Sequence, residues 1–170
     1  MKTTLSPYQL HSIASPLGKI WLAASDAGLR GLWFEGQQHL PNFSDTQTWH
    51  RGEHRFAQVA AQLMQRYFAG EQVALNQSLP FDLSAGTVFQ QAVWQALLHI
   101  PRGGSASYGA IAQNIGNPAA VRAVGAAVGR NPISILVPCH RVLGKDGSLT
   151  GYAGGLERKV ALLRIEGVLI

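Results

Sequence analysis

Apolar residues in the first third of the chain come in short stretches. Tyr8–Ala14, Lys19–Ala24 and Leu29–Phe34 are separated by Ser15-Pro16-Leu17-Gly18 and Ser25-Asp26-Ala27-Gly28. Both separators are rich in turn formers, so the pattern predicts a β-meander. Residues 35–50 read as a polar loop. From about Glu53 the period lengthens: Phe56, Val59, Ala60, Leu63, Met64 and Tyr67 form one helical stripe, and Gly70 ends it. A strand-rich domain with one helix is expected over residues 1–80, followed by Leu79-Pro80-Phe81-Asp82 as a linker.

The second half changes character. Thr87-Val88-Phe89-Gln90 has the spacing of a capping box. The helix it opens is expected to bury Phe89, Val93 and Leu97 and to stop before Pro101. Two short helices, Tyr108–Ile115 and Ala119–Val128, flank a break at Gly116-Asn117-Pro118 and resemble a helix-turn-helix. Helix pairs that never meet DNA have the same pattern. Val121, Val124 and Val128 are the expected buried stripe of the second helix, and Ala119, Arg122, Ala123 and Ala126 form its other face. A base-reading helix exposes several Arg, Lys, Asn or Gln side chains. This one has alanines and a single arginine, which suits either a tight helix–helix contact or a close, sequence-independent approach to DNA. An apolar strand over Ile133–Val137 and a hairpin turn at Gly144-Lys145-Asp146-Gly147 complete a mostly helical domain over residues 86–170. The expected fold class is α/β of the α+β kind: a small sheet with one helix, then a helical unit with a helix-turn-helix and a short β hairpin.

Composition narrows the picture. Of 170 residues, 46% are hydrophobic and 14% charged, enough to build a core and too apolar for a disordered chain. The net charge of +5 is unevenly placed. Residues 1–85 hold six bases and six acids, whereas residues 86–170 hold eight and three, so all of the excess lies in the second half. That suits a polyanionic partner, and equally a solvated basic surface. One cysteine excludes an internal disulfide framework and any CxxC site. MKTTLSPYQL lacks the apolar core of a secretory leader, and the longest uncharged runs, 83–101 and 103–121, are broken by Gly, Pro, Gln and Ser. A soluble, cytoplasmic protein without membrane contact is expected.

The lone cysteine stands in Pro138-Cys139-His140-Arg141-Val142. An isolated cysteine is commonly a small buried hydrophobe. Here His140 and Arg141 follow it directly, and cationic neighbours are expected to lower a thiol pKa toward neutrality. Pro138 suits a rigid turn that presents the side chain. Gly151-Tyr152-Ala153-Gly154-Gly155 downstream is a loop whose backbone can approach a ligand closely. A cysteine hydrolase would need an acyl pocket and an oxyanion hole, and no protease signature such as CGSCW is present.

PCHRV, followed by LTGYAGGLERK and a terminal Ile165-Glu166-Gly167, resembles the O6-alkylguanine-DNA alkyltransferases (methylated-DNA–protein-cysteine methyltransferases). The likeness spans residues 86–167 and takes in SYG at 107–109, AVRAVG at 120–125 and GRNP at 129–132. The first 80 residues share the family's layout and its SPLG turn. The resemblance implies a single-turnover repair protein that flips O6-alkylguanine, or O4-alkylthymine, out of duplex DNA without regard to sequence. Cys139 would keep the alkyl group. It also implies His140 as the base for the thiol, Glu166 as the carboxylate orienting that imidazole, and Asn131 as the brace of the cysteine turn. Tyr108, Tyr152, the Ala153 amide and the Cys139 and Val142 carbonyls would hold the base. Arg122 would fill the gap left in the stack, with Ala123 and Ala126 against the DNA. The expected partner is double-stranded DNA carrying alkylated bases, and the protein is expected to be a monomer that needs no cofactor. Some relatives carry a zinc site in the first domain. Here that region has no cysteine, and His50 and His54, spaced i, i+4, lack a third ligand, so no metal is expected.

Overall fold

The computed structural model describes residues 7–74 and 79–169. The first six residues, on which part of the leader argument rests, lie outside the described residues. Strands β1 (Tyr8–Ile13), β2 (Ile20–Ser25) and β3 (Gly28–Phe34) form the expected antiparallel meander. A fourth strand, β4 (Trp49–Arg51), runs parallel to β1 in the segment expected to be loop, giving the order β3-β2-β1-β4. Three residues are too few to show a period of two. What holds β4 is an aromatic cluster: Phe43 meets the edges of Trp33 and Trp49 with ring centroids 5.4 and 5.2 Å apart, over the buried Leu10 and Ala23. The other face of the sheet receives α1 (Arg55–Phe68), which buries Ala57, Ala60, Leu63, Met64 and Tyr67 as its apolar stripe requires. His54 is its N-cap, accepting from the Phe56 amide at Nδ1 and bonding Asp26 through Nε2 at 2.8 Å. His50 lies on β4, so the pair does not share a helix.

Helix α2 (Val88–Leu97) starts with the full capping box, Gln90 N–H donating to Thr87 Oγ1 and Thr87 N–H to Gln90 Oε1. It buries Val93 and Leu97, but Trp94 rather than Phe89 fills the remaining core position, with Nε1 donating to the Ala127 carbonyl at 2.8 Å. Then come β5 (Ala106–Ser107), α3 (Tyr108–Asn114), α4 (Val121–Gly129), a single 3-10 turn (Cys139–Arg141), β6 (Val142–Leu143) and α5 (Leu156–Ile165). Val124 and Val128 are buried as expected. Val121, at the first turn of α4, is 42% exposed, because the stripe begins only where the helix has reached its neighbours.

Two expectations for the second half are corrected. Ile133–Val137 is not a strand. Only Ile133 pairs, with Leu32, and the chain then turns tightly. Nor is there a hairpin. Gly144 closes a turn onto Ser148, but β6 pairs parallel with β5 from the other side of α3 and α4. A buried apolar run and a glycine turn carry no record of which segment supplies the pairing partner.

The free edge of β3 takes up first the linker and then the second half of the chain. Leu29 N–H donates to Pro80 O and Asp82 N–H to Leu29 O, while Leu32 and Ser134 exchange the same pair of bonds with Pro132 and Leu32. The exposed edge of the meander is thereby covered. Gly28 (φ +138°) makes this possible, since a Cβ there would stand 2.6 Å from the Pro80 carbonyl oxygen. One core runs from Leu22, Leu32 and Phe34 of the sheet to Val93, Val124 and Leu162 of the helices.

Candidate active site

Cys139 is presented by two successive three-residue turns. In the first, Leu136 N–H donates to Ser134 O around Ile135, whose φ of +71° is the strained form of such a turn. In the second, Cys139 N–H donates to Val137 O around Pro138, at φ −83° and ψ 64°. Asn131 braces both: its Nδ2 donates to Val137 O at 2.7 Å and its Oδ1 accepts from Ile133 N–H at 3.0 Å. Without that side chain the Val137 carbonyl would lose one of its buried partners, and the strained Ile135 geometry would lose its support.

The thiol lies at the bottom of a cavity of about 210 Å³. One wall is the face of α4 formed by Gly125, Val128 and Gly129, with Tyr108 beside it. The opposite wall is the loop residues Gly151, Tyr152 and Ala153, and Gln38 reaches the rim from the first half of the chain. This volume falls below the roughly 300–1,000 Å³ of sites for drug-sized ligands and is scaled for a single flat ring system. Tyr108 Oη shares a 2.8 Å hydrogen bond with Thr150 Oγ1. Burial holds the Tyr152 phenol well above its ordinary pKa, so it stays protonated.

His140, Asn131 and Glu166 do not line this cavity. His140 is fully buried, with Nε2 2.6 Å from Glu166 Oε2. Glu166 also accepts from Tyr67 Oη at 2.7 Å and from Arg141 Nε at 2.7 Å and Nη2 at 3.1 Å. Burial alone would raise this carboxyl, but the hydrogen bonds from His140 and Arg141 outweigh it and bring it down to about 2. Burial lowers the His140 pKa, so the imidazole is neutral at pH 7. An ionised carboxylate can only accept, which places the imidazole proton on Nε2 and leaves Nδ1 as the lone pair. Nδ1 has no hydrogen-bond partner among the described residues.

The expectation of a thiol lowered by its cationic neighbours is corrected. Burial pushes Cys139 up to about 11, against the pull of Asn131 and Lys159. His140 and Arg141 on the 3-10 turn both turn to Glu166, so the Arg141 charge is spent on that carboxylate. The cation that does act on the thiol is Lys159, which is fully buried on α5 and donates to Val142 O at 2.7 Å and Thr150 O at 3.2 Å. Sequence reasoning missed Lys159 and Tyr67. The signal for each was a polar group inside an apolar helical stripe, which demands a buried partner. Val142 does not line the cavity, and its carbonyl already serves Lys159. Arg122, Ala123 and Ala126 lie on the exposed face of α4, whose N-terminus has no side-chain cap.

No helix among the described residues is long and apolar enough to cross a membrane. Comparison with known proteins accounts for nearly the whole chain. Residues 9–83 match the ribonuclease-like domain of 6-O-methylguanine DNA methyltransferase, and residues 88–168 match its DNA binding domain. A methylated-DNA–protein-cysteine methyltransferase of Haemophilus influenzae is 45% identical over 155 residues, covering 91% of this chain and 83% of that protein. One from Methanosarcina acetivorans is 47% identical, covering 90% and 94%. Among solved structures, that of Mycobacterium tuberculosis OGT in complex with DNA is 46% identical, with a TM-score of 0.82 over 95% of this chain and 93% of that one. Matches of this identity over this length, in both halves, establish that the chain belongs to the 6-O-methylguanine DNA methyltransferase family.

Proposed function

We propose that this protein repairs double-stranded DNA by taking the alkyl group of a flipped-out O6-alkylguanine onto Cys139, once per molecule. The observation that carries the reading is one cysteine lining a base-sized cavity, followed in the chain by a neutral imidazole anchored on a buried carboxylate. The thiol proton passes, through a water, to His140 Nδ1, and the resulting imidazolium is stabilised by Glu166. The Cys139 sulfur then attacks the alkyl carbon in line. The carbon–O6 bond breaks, its electron pair stays on the base, and a proton donated to the ring from Tyr108 Oη completes a neutral guanine. The His140 imidazolium gives up the thiol proton to solvent, and the Tyr108 phenolate takes one back from it. The product is a thioether, which water cannot cleave, so the site is spent. The Ala153 amide would mark O6, and the Cys139 carbonyl would take the exocyclic amine; Val142, whose carbonyl is held by Lys159 outside the cavity lining, does not share that role. O4-alkylthymine presents the same reacting atoms in a smaller ring.

The exposed alanine face of α4 supports a close approach to DNA that discriminates little among sequences, and Arg122 is the side chain on it long enough to occupy an emptied stack. Incubation with an O6-methylguanine duplex is expected to add about 14 Da, the replacement of S–H by S–CH3, and peptide mapping is expected to place it on Cys139. Several turnovers per molecule, or an unmodified Cys139 after complete repair, would refute the reading. Arg122→Ala is expected to slow repair of the duplex by about 10–100-fold while leaving reactivity toward free O6-benzylguanine within about twofold. Equal losses on the two substrates would remove Arg122 from the flipping step.

A further inference from the structure

The loop that walls the cavity opposite α4 is made of Gly151, Tyr152, Ala153, Gly154 and Gly155, and three glycines in five residues give it little stiffness of its own. Its position is fixed from outside, by the first half of the chain. Arg158, on the first turn of α5, donates through Nη1 to Gly154 O at 3.1 Å, through Nε to Leu17 O at 3.0 Å and through Nη2 to Glu35 O at 3.5 Å. Its guanidinium lies over the Phe34 ring, 4.6 Å from the centroid. The planar fork therefore ties three segments together: the Ser15–Gly18 turn, the end of β3, and the cavity loop. A second tie is one residue away, where Gln38 N–H donates to Ala153 O at 2.9 Å. Gln38 is held in turn by buried Gln37, whose Oε1 accepts from Phe34 N–H at 2.8 Å and whose Nε2 donates to Gln38 O at 3.2 Å. Gly154 is also wedged between Phe34 and Tyr152, so that a Cβ there would stand 3.2 and 2.9 Å from their rings.

From this we infer that Arg158 is a positioning residue which sets the width of the alkyl-accepting cavity, making the first half of the chain a determinant of which alkyl groups are accepted. The inference rests on the alkyl-transfer reading given above. Arg158 touches neither the thiol nor the His140–Glu166 pair, so its loss changes how substrate is held and not the transfer step. Releasing Gly154 lets the loop draw back, which costs the methyl adduct its contacts and makes room for larger groups.

The test is inactivation kinetics of Arg158→Met and Arg158→Lys with O6-methylguanine in duplex DNA, O6-benzylguanine in the same duplex, and free O6-benzylguanine. For Arg158→Met, the half-saturating concentration of the methylated duplex is expected to rise by about tenfold, the effect of losing one charge-assisted hydrogen bond. The maximal rate is expected to stay within about twofold, and the benzyl-to-methyl preference to shift toward benzyl. Arg158→Lys keeps the charge but not the fork and is expected to fall between. A lower melting temperature with unchanged half-saturation and unchanged preference would overturn the inference, as would a loss confined to the maximal rate. Should Arg158→Met not fold, Arg158→Lys alone decides between the same outcomes. A wild-type protein that takes no alkyl group from any of the three substrates would instead refute the alkyl-transfer reading.

Discussion

Glu166→Ala is expected to destabilise the protein by about 3–5 kcal/mol, the range for removing one partner of a buried ion pair. For a domain of this size that is a drop of about 6–20 °C in melting temperature. The carboxylate is the shared acceptor of Tyr67, His140 and Arg141, and its side chain is fully buried. Removing it leaves a buried guanidinium bonded to Ile100 O, together with two donors facing a cavity. Glu166→Gln keeps the volume and one acceptor and is expected to cost less than alanine. The same group makes the wild type acid-sensitive. Its carboxyl is held at about 2 in the fold against an ordinary 4.5, so its stabilisation is complete above about 4.5 and is lost as pH falls toward 2. His140 acts in the same direction from higher pH. Its folded pKa lies below 6.5, so below 6.5 the unfolded chain binds the extra proton and stability declines. Thermal melts of the two variants and the wild type across pH 3–8 measure this. A Glu166→Ala protein that melts within about 2 °C of wild type at pH 7, too little for a lost buried pair, would show that the cluster does not bear the fold.

His140→Gln is expected to slow alkyl uptake by about 10²–10⁴-fold at pH 7, the range for removing a general base. The reason is the thiol. Burial holds Cys139 at about 11, so at neutral pH it does not ionise unaided and depends on the neutral imidazole. Two consequences distinguish this from a disturbed fold. The wild-type rate is expected to be flat from neutral pH upward and to fall in acid, below 6.5, where Nδ1 becomes protonated. The variant rate is expected to climb with pH toward 11, as hydroxide replaces the missing base. A deficit of the same size at pH 7 and pH 10 would show that His140 does not accept the thiol proton.

Much of this site could be read from one sequence, and the parts that could not share a cause. Cys139, His140, Asn131, Tyr152 and Glu166 lie in the segments that carry the family resemblance, which implied their roles, and in the structure Asn131 braces the cysteine turn while His140 bonds Glu166. The meander and the capping box were legible because each is decided by neighbours within a few residues. The electrostatics were not. Arg141, two residues after Cys139, suggested an acidified thiol, yet it spends its charge on Glu166. Lys159, twenty residues away in sequence, is the cation that faces the thiol. β4 and the failed Ile133–Val137 strand make the same point for backbone: pairing partners came from residues 8–10 and from Leu32, far outside any local window.

The sharing of the β3 edge between the two halves bears on how such proteins can be recombined. Leu29 and Leu32 bond main chain to main chain with Pro80, Asp82, Pro132 and Ser134, and Gly28 admits the Pro80 carbonyl only because it lacks a side chain. A chimera that takes its sheet from one relative and its helical half from another keeps the Leu29 bonds to Pro80 and Asp82 within the sheet donor and splits the Leu32 bonds to Pro132 and Ser134. A crossover near residue 85 therefore parts Leu32 from the segment that leads into the Cys139 turn, so the natural cassette for shuffling holds Leu32, Pro132 and Ser134 from the same parent.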